Sequence, residues 1–285
     1  MDLFDKLKQV RISKRARRGA VLGLCLCAAA GLGTHLLLGG GAPVGCPQEV
    51  LADTRAVMAV QASVSGSTDA QSGAAADKVV YLTFDDGPSA TTESVLDTLK
   101  AEGVPATFFV MAADNNEEYL PLLERTVQEG HLIALHTCSH DYKSIYKSPD
   151  AYWDDLQKLR EKLLPYVPAD QEIKWLRFPG GSTNTVSRRY GGKGLMPQLK
   201  TEVEQRGWQW VDWNVCAEDA VGGHPSADTI YRNVVRETGE QTHCVVLMHD
   251  SATTHTTAEA LPDIIRWYAD NGYTFLTVAE ALPLG

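Results

Sequence analysis

Between positions 78 and 285, short continuous apolar runs alternate with longer segments in which apolar residues recur at every third or fourth position. Short runs rich in β-branched and aromatic residues indicate buried strands, and the longer spacing indicates amphipathic helices. The runs predict strands at residues 78–83, 106–112, 131–135, 173–178, 208–215, 244–248 and 273–278. The spacing predicts helices at residues 91–102, 117–129, 152–166, 195–206, 229–238 and 258–271.

This regular alternation of strands and helices predicts a mainly parallel sheet covered by helices. Seven strand–helix units favour an irregular (β/α)7 barrel, one unit short of the usual eight and incompletely closed. A doubly wound open sheet is the alternative. In both folds the carboxyl ends of the strands lie on one side of the sheet, where the active sites of such proteins are found.

The first 77 residues follow a different pattern. Residues 1–18 carry seven basic and two acidic side chains, and residues 19–41 carry no Asp, Glu, Lys or Arg. An apolar run of this length can cross the roughly 30 Å hydrocarbon core of a bilayer, and the basic end then stays in the cytoplasm. We expect a cytoplasmic segment at 1–18, a transmembrane anchor at 19–41, a flexible linker at 42–77 and an extracytoplasmic body at 78–285. Cleavage of a secretory signal is the alternative, and it also exports the body.

The composition is that of a globular protein, with 44% hydrophobic and 22% charged residues among 285. The net charge is −10, and the excess of five cations in residues 1–18 leaves −15 for the rest of the chain. So acidic a body is a poor partner for nucleic acid, because that binding depends on neutralising phosphates. We therefore expect no nucleic-acid partner.

Polar side chains of catalytic types follow five of the predicted strands. They are Asp85 and Asp86 after the first strand, His136 and His140 after the third, Arg177 at the end of the fourth, Asp212 near the end of the fifth, and His249 and Asp250 after the sixth. Because the strand ends share one rim, we expect these side chains to lie close together.

The two histidines are candidate metal ligands. His136 and His140 are four residues apart, so one helical turn would place both imidazoles on one side. Together with a carboxylate from Asp85 or Asp86 they would form a catalytic zinc site with a position open to water. The neighbouring carboxylate could then act as a base in metal-assisted hydrolysis. The alternative for the histidines is an ordinary surface pair, which the shared rim location disfavours. The alternative for Asp86-Gly87-Pro88 is a simple turn, which does not explain two adjacent acids after an apolar strand.

Three further rim residues each have a structural and a functional interpretation. His249 is either a satisfied strand-end histidine partnered by Asp250 or a general acid. Arg177 is expected to pair with Asp212, and an arginine held in this way could also orient a catalytic carboxylate. Trp213, beside Asp212, either packs in the core or contacts a sugar.

Five segments carry a family resemblance: TFDDGPS at 83–89, HTCSH at 136–140, RFPGG at 177–181, VDW at 211–213 and LMHD at 247–250. In this order they resemble the motifs of the polysaccharide deacetylases of carbohydrate esterase family 4, the NodB-homology domain. The resemblance covers essentially all of residues 78–285. It implies an irregular (β/α)7 barrel that hydrolyses the N-acetyl group of an N-acetylhexosamine.

The resemblance also implies roles for individual residues. The metal, most often zinc, would be bound by Asp86, His136 and His140. Asp85 would be the catalytic base, His249 the acid, and Arg177 would orient Asp85 while Asp212 braces Arg177. Substrate contacts would come from Trp213 and Leu247, which line the groove for the acetyl methyl group, and from the segment Pro179, Gly180 and Gly181 near the oxyanion.

Three positions depart from the family pattern. At Gly180 the family commonly has an aromatic residue, and at Gln209 its fourth motif usually begins with Asp. Cys216 lies just past that motif, at a position where a polar residue would be expected. None of these removes a metal ligand, the acid or the base, so they concern substrate specificity. Cys216 could instead pair with Cys244 if their strands are neighbours, and buried free thiols are the alternative.

The sequence therefore predicts a membrane-anchored, zinc-dependent N-deacetylase of a cell-envelope polysaccharide. The expected substrate is the N-acetylglucosamine of peptidoglycan, because the predicted topology places the body outside the membrane. Chitin-like or poly-N-acetylglucosamine polymers are an alternative substrate. Hydrolysis of an O-acetyl ester or cyclic amide at the same site is a second alternative. A non-catalytic carbohydrate-binding envelope protein is a third.

Overall fold

The computed structural model describes residues 78–168 and 171–281. Eight strands form one sheet: β1 Lys78–Asp85, β2 Thr107–Val110, β3 Leu132–Leu135, β4 Trp175–Leu176, β5 Gln209–Trp210, β6 Val215–Cys216, β7 His243–His249 and β8 Tyr273–Phe275. The helices are α1 Ala90–Glu102, α2 Leu122–Gln128, α3 Tyr142–Ile145, α4 Pro149–Leu163, α5 Val186–Gly191, α6 Leu195–Gln205, α7 Ala227–Thr238, α8 His255–Asp270 and α9 Val278–Ala281. A 3₁₀ turn covers Glu117–Tyr119.

Every strand pairing is parallel, in the order β5-β4-β3-β2-β1-β7-β6. β7 pairs along nearly the whole of one side of β1, while β8 and β2 share its other side. The two strands at the ends of this order, β5 and β6, are separated by only residues 211–214, so the sheet must curl to bring its edges together. This parallel, curled sheet with helices confirms the predicted fold class and fits the irregular (β/α)7 barrel.

Alternate strand residues enter two different cores, because successive side chains of a strand point to opposite faces. Val80, Leu82 and Phe84 of β1 belong to the large core shared with the helices, whereas Tyr81 belongs to a small inner cluster. The buried members of the inner cluster are Tyr81, Phe109, Ala134, Trp175, Val211, Val245 and Val278. Two and four residues beyond Tyr81 on the same face come Thr83 and Asp85, so the inner face ends at the catalytic candidates.

The prediction of one strand at residues 208–215 is wrong. Gln209–Trp210 pairs with β4, whereas Val215–Cys216 pairs with β7 on the opposite side of the sheet order. In the residues between them, the Val211 amide donates to the Leu176 carbonyl and the Asn214 amide donates to the Val245 carbonyl. The chain therefore crosses between the sheet edges within one apolar run, a change of partner that hydrophobicity does not encode.

The other predicted elements are found with shifted ends, with one further exception. Residues 117–129 form the 3₁₀ turn and α2 instead of one helix, and the short helices α3, α5 and α9 were not predicted. The cysteines of β6 and β7 form no disulfide with each other: Cys216 lies opposite Leu247, three residues along the strand from Cys244.

The predicted anchor at 19–41 and linker at 42–77 lie outside the described residues. No helix within residues 78–168 and 171–281 is long and apolar enough to cross a bilayer.

Candidate active site

The loop after β1 directs two adjacent carboxylates to different neighbours. Asp85 ends the strand, and Asp86 adopts a left-handed backbone conformation with φ of 73°. That conformation is uncommon for a residue with a side chain and is least unfavourable for Asp and Asn. The Asn116 amide group stabilises the turn by donating to the carbonyls of Asp86 and Pro88, both at 3.0 Å. The turn therefore separates the two acids, with Asp85 facing Arg177 and Asp86 facing the histidines.

The segment from His136 to His140 is a loop, and the predicted helical turn is wrong. Two of its residues, Thr137 and His140, have φ of 72° and 52°. Asp155 of α4 fixes the loop, because its Oδ1 accepts hydrogen bonds from the amides of Cys138 at 2.6 Å and Ser139 at 3.2 Å. The two imidazoles still lie together, with ring centroids 5.1 Å apart.

Asp86, His136 and His140 form a cluster that could hold a metal ion, with ligand atoms all within 4.8 Å of one another. Asp86 Oδ1 lies 3.6 Å from His136 Nε2 and 3.7 Å from His140 Nε2. These separations are too long for hydrogen bonds. They are close to the roughly 3.3 Å between ligands that bind zinc tetrahedrally at about 2.0–2.1 Å. Two imidazoles and a carboxylate thus fit a divalent cation in both spacing and chemistry.

The orientation of His136 suits metal binding. Its Nδ1 lies 2.8 Å from the carbonyl oxygen of Arg177, which can only accept a hydrogen bond, so Nδ1 carries the proton. The Nε2 lone pair is thereby directed to the cluster, as is usual for a metal-binding histidine. Burial lowers the pKa of His136, which favours the neutral imidazole that a metal requires.

Arg177 orients Asp85 from a completely buried position. Its Nη1 donates to Asp85 Oδ1 and to Thr83 Oγ1, both at 2.8 Å. Its Nε and Nη2 donate to the backbone carbonyls of Val211 and Asp212 at 3.1 and 3.2 Å. Because its guanidinium group is held by these hydrogen bonds, Arg177 fixes the position of Asp85 Oδ1. The other carboxylate oxygen, Oδ2, lies 3.6 Å from His136 Nε2, on the side of the metal cluster.

Asp212 contacts Arg177 through its backbone carbonyl, whereas the sequence led us to expect a contact from its carboxylate. The carboxylate instead accepts hydrogen bonds from the amide and hydroxyl of Ser182 at 2.9 and 2.6 Å. Burial raises the pKa of Asp212, and the Ser182 hydrogen bonds oppose that shift. Asp212 therefore ties the chain after RFPGG to the crossover between β5 and β6.

His249 lies directly opposite Asp85 in the pairing of β1 with β7. Its Nδ1 is 2.8 Å from Asp219 Oδ1, and Asp219 Oδ2 accepts from the His249 amide and the Thr257 hydroxyl, both at 2.7 Å. Asp219 is therefore the carboxylate partner of His249, a role the sequence had suggested for Asp250. Asp219 is absent from the predicted site residues because it follows the end of β6 at Cys216, and the prediction of a single strand at 208–215 did not include that strand end.

Asp250 has a structural role instead. Its Oδ2 accepts a hydrogen bond from Thr92 at 2.6 Å, and its carbonyl accepts one from Ser89 at 2.6 Å. These contacts join the end of β7 to the start of α1, where Ser89 forms a capping box with Thr92. A Cβ atom at Gly87 would overlap the Asp250 carboxylate, so glycine is required there. Burial raises the pKa of Asp250 to about 7.

The predicted substrate-contacting residues surround this cluster. Leu247 is on the inner face of β7, two residues before His249 and opposite Thr83. The Trp213 ring lies 5.6 Å from the Arg177 guanidinium carbon, and its Cη2 would be 3.0 Å from a Cβ at Gly181.

The segment Pro179, Gly180 and Gly181 is also next to the cluster. Tyr146 donates to the Pro179 carbonyl at 2.7 Å. A Cβ at Gly180 would lie 3.2 Å from the hydroxyl of Tyr142, whose ring packs against His140 with centroids 5.0 Å apart. Both glycines have positive φ, at 76° and 81°.

The described rim thus combines a buried carboxylate oriented by Arg177, a cluster able to bind a cation, and a histidine oriented by Asp219. A carboxylate base beside a divalent cation, with an imidazole acid opposite, can hydrolyse an acyl bond.

Comparisons with known proteins agree with this chemistry. Residues 72–193 match the family model described as polysaccharide deacetylase. A peptidoglycan-N-acetylglucosamine deacetylase of Bacillus cereus is 30% identical over 202 residues, which span 70% of this chain and 68% of the relative. The solved catalytic domain of a peptidoglycan N-acetylglucosamine deacetylase from Eubacterium rectale matches with a TM-score of 0.68 and 35% identity, covering 78% of this chain and 96% of that one. A CE4 esterase of Streptococcus mutans matches with a TM-score of 0.62 and 29% identity, covering 71% and 86%.

Proposed function

The chain belongs to the polysaccharide deacetylase family and is a hydrolase of carbon–nitrogen bonds other than peptide bonds, and from this premise we propose that it removes N-acetyl groups from the N-acetylglucosamine of peptidoglycan in a metal-dependent reaction. The observation that carries the proposal is the buried Arg177–Asp85 contact beside the cluster of Asp86, His136 and His140. Peptidoglycan is the proposed polymer because relatives in both comparisons are named for it.

Asp86, His136 and His140 would hold the cation, with zinc as the first candidate because two imidazoles and a carboxylate suit it. Bound there, a divalent cation would polarise the acetyl carbonyl and lower the pKa of a water molecule. The hydrogen bond from His136 to the Arg177 carbonyl keeps the ligand nitrogen deprotonated and aimed at the cluster.

Asp85 is the proposed base. Its Oδ1 is occupied by Arg177, so Oδ2, on the cluster side, is the oxygen that takes a proton from the attacking water. The water oxygen then bonds to the acetyl carbon. Leu247 and Trp213 would pack against the acetyl methyl group and hold the carbonyl over the cluster.

His249 is the proposed acid. Its Nδ1 donates to Asp219, so the proton that it supplies to the substrate comes from Nε2. Protonation of the amide nitrogen allows the carbon–nitrogen bond to break, which releases acetate and leaves the sugar amine. The base and acid lie at the ends of neighbouring strands, opposite each other in register, so they can act on two sides of one acetamide group.

An O-acetyl ester is the second candidate substrate. A structural neighbour is itself described as a CE4 esterase, and the same base, cation cluster and acid would cleave an ester bond. Chitin-like polymers remain an alternative among N-acetylated substrates. The presence of all three cluster residues, the base and the acid disfavours a non-catalytic carbohydrate-binding role.

We also propose that residues 19–41 anchor the chain in the membrane with the body facing outward, as their apolar run and the basic residues before them suggest. Fractionation and protease treatment of intact cells test this proposal. Membrane-bound protein digested from outside is the expected result. Protein in the cytoplasmic fraction would contradict export.

Acetate release tests the proposed reaction. The full chain would be incubated with peptidoglycan, N-acetylglucosamine oligomers and an O-acetylated oligomer, with chelator or added zinc. We expect zinc-dependent release from peptidoglycan and its loss in the variant Asp85→Asn. Release from the O-acetylated oligomer alone would replace the amide substrate with an ester. No release from any substrate by metal-loaded protein would refute the proposal.

A further inference from the structure

A basic segment that begins with the RFPGG stretch interrupts this acidic protein. Residues 177–201 carry five cations and no Asp or Glu, in a chain whose net charge is −10. The cations are Arg177, Arg188, Arg189, Lys193 and Lys200. Arg177 is buried at the active site, whereas Arg188, Arg189 and Lys193 are exposed. The proposed mechanism uses none of Arg188, Arg189, Lys193 and Lys200.

This segment supplies all but one of the residues that line a groove of about 680 Å³, formed by the chain after RFPGG and helices α5 and α6. Its polar lining includes Ser182, Asn184, Arg188, Lys193, Lys200 and a single acid, Glu204. Lys200 Nζ lies 4.2 Å from the centre of the Trp210 ring. Among the described residues, Arg188 and Lys193 have no ion pair, so their charge is available to a ligand. Three cations against one acid give the groove a net positive charge.

The groove adjoins the active site. Ser182 in its wall donates two hydrogen bonds to the Asp212 carboxylate, and the Asp212 carbonyl accepts one from Arg177. At Gly180, an added Cβ would lie 3.2 Å from the Tyr142 hydroxyl and 3.3 Å from Asn184 Cβ. Gly180 is therefore packed between Tyr142, which lies beside the candidate metal site, and Asn184, which lines the groove, so the two sites are direct neighbours.

We propose that this groove binds a carboxylate-bearing substituent on the sugar next to the one being deacetylated. This inference rests on the proposed function, because alternate sugars of peptidoglycan carry a lactyl group extended by a peptide that ends in carboxylates. Cationic side chains attract a carboxylate, and the neighbouring hydroxyl and amide groups can donate hydrogen bonds to it. The groove would thus select an anionic glycan strand over an uncharged one.

Exposed charges act weakly one at a time and are screened by salt. Removing one residue of an exposed ion pair typically changes the equilibrium constant by roughly 1.5- to 5-fold. Removal of two cations from the groove should therefore weaken binding of an anionic oligomer by roughly 2- to 25-fold. The preference for the anionic ligand should also fall when the ionic strength is raised from about 0.05 to about 0.3 M.

The test compares two oligomers of equal length that differ only in charge. The first is a peptidoglycan fragment of alternating N-acetylglucosamine and peptide-bearing N-acetylmuramic acid. The second is the same fragment with its carboxylates converted to amides. The dissociation constant of each is measured by calorimetry with the full chain in chelator, so that the result does not depend on turnover. The variant is Arg188→Gln with Lys193→Gln. Its matched control is Arg232→Gln with Arg266→Gln, which removes two exposed cations from α7 and α8.

We expect the unmodified chain and the control to prefer the acidic fragment at least about threefold, and the groove variant to bind both fragments equally. Equal binding of the two fragments by the unmodified chain would overturn the inference. A preference that survives in the groove variant would overturn it as well. Acetate release from an uncharged N-acetylglucosamine oligomer, which we expect all three proteins to retain, reports separately on the proposed function.

Discussion

Two buried carboxylates at the rim are each paired with a different basic side chain. Asp85 is fixed by Arg177 and presents its second oxygen to the metal cluster. Asp219 binds both the imidazole and the backbone amide of His249. Both pairs are held by further contacts: Thr257 donates to the Asp219 carboxylate, and Arg177 donates to the backbone carbonyls of Val211 and Asp212. In the proposed mechanism, the base and the acid would therefore depend on partners that do not touch the substrate.

The variant Asp219→Asn tests the orientation of His249. We expect kcat for acetate release to fall by about 10- to 100-fold, because the amide cannot accept from both His249 N–H groups and Thr257 as the carboxylate does. In a chain that already carries His249→Ala, the same change should cost little more, since the two residues act as a unit. The neighbouring change Glu218→Gln is the control. Additive losses in the double variant would contradict this account.

The variant Asp250→Asn tests the buried carboxyl group that joins β7 to α1. Burial raises the pKa of Asp250 from 3.8 to about 7, so between these values the folded protein retains a proton that the unfolded chain has lost. The free energy of unfolding therefore falls as the pH rises through this window. Without metal, the Asn variant should gain on the order of 2 kcal/mol relative to the unmodified chain between about pH 5 and about pH 8. Denaturant unfolding measures this, and a pH-independent difference would contradict it.

The sequence predicted most of the site at the residue scale because its polar residues follow apolar strands. Asp85, Asp86, His136, His140, Arg177 and His249 all lie at one rim, as expected. Asp219 and the true contacts of Asp212 were missed. Both depend on the crossover at residues 211–214, where a continuous apolar run changes its strand partner. Hydrophobic pattern reports burial and carries no information about which strand is the neighbour.

At the scale of elements, loops with unusual backbone conformations connect the strands to the site. Asp86, Thr137, His140 and Glu218 have positive φ, and all four are metal-cluster residues or lie next to a site residue. Such conformations persist only where surrounding contacts impose them, and they occur often at functional sites. The four-residue spacing of His136 and His140 suggested a helical turn. The two imidazoles lie close together in a loop instead, which is held by hydrogen bonds from its amides to Asp155.

The variant Asp155→Ala tests the contribution of α4 to the metal cluster. The amides of Cys138 and Ser139 would lose their acceptor, and the loop that carries both histidines would be less well fixed. We expect zinc affinity to fall by about 10- to 100-fold in a competition titration with a chromophoric chelator. Asp154→Ala, at an exposed neighbouring position, should bind zinc normally, and Asp155→Asn should recover part of the affinity. Unchanged affinity in Asp155→Ala would show that the loop keeps its conformation without α4.

At the scale of the whole molecule, charge is separated between an acidic body and a basic groove beside the site. The residues after position 18 have a net charge of −15, yet residues 177–201 contain no acid. A deacetylated product strand carries new amines, so an acidic surface does not repel it. The parallel sheet brings the groove, the metal cluster and His249 to one rim, and the expected anchor would present that rim to the envelope.

Cells that lack this protein should become more sensitive to lysozyme. Free amines on the glycan weaken recognition by hydrolases that bind the acetamide group, so loss of the deacetylase would restore their substrate. The measurement is the rate of lysis in lysozyme, with complementation by the unmodified chain and by Asp85→Asn. We expect only the unmodified chain to restore resistance. Unchanged sensitivity, or equal rescue by both chains, would contradict a role for the deacetylase activity.

The most direct test of the site is acetate release from peptidoglycan as zinc is returned to chelator-treated protein. We expect the rate to rise in proportion to zinc up to one equivalent and then to stay constant. Asp85→Asn should bind the same single equivalent but release acetate at least about 100-fold more slowly. Full activity in the absence of metal, or an active Asp85→Asn variant, would contradict the assignment of Asp86, His136 and His140 as ligands and Asp85 as base.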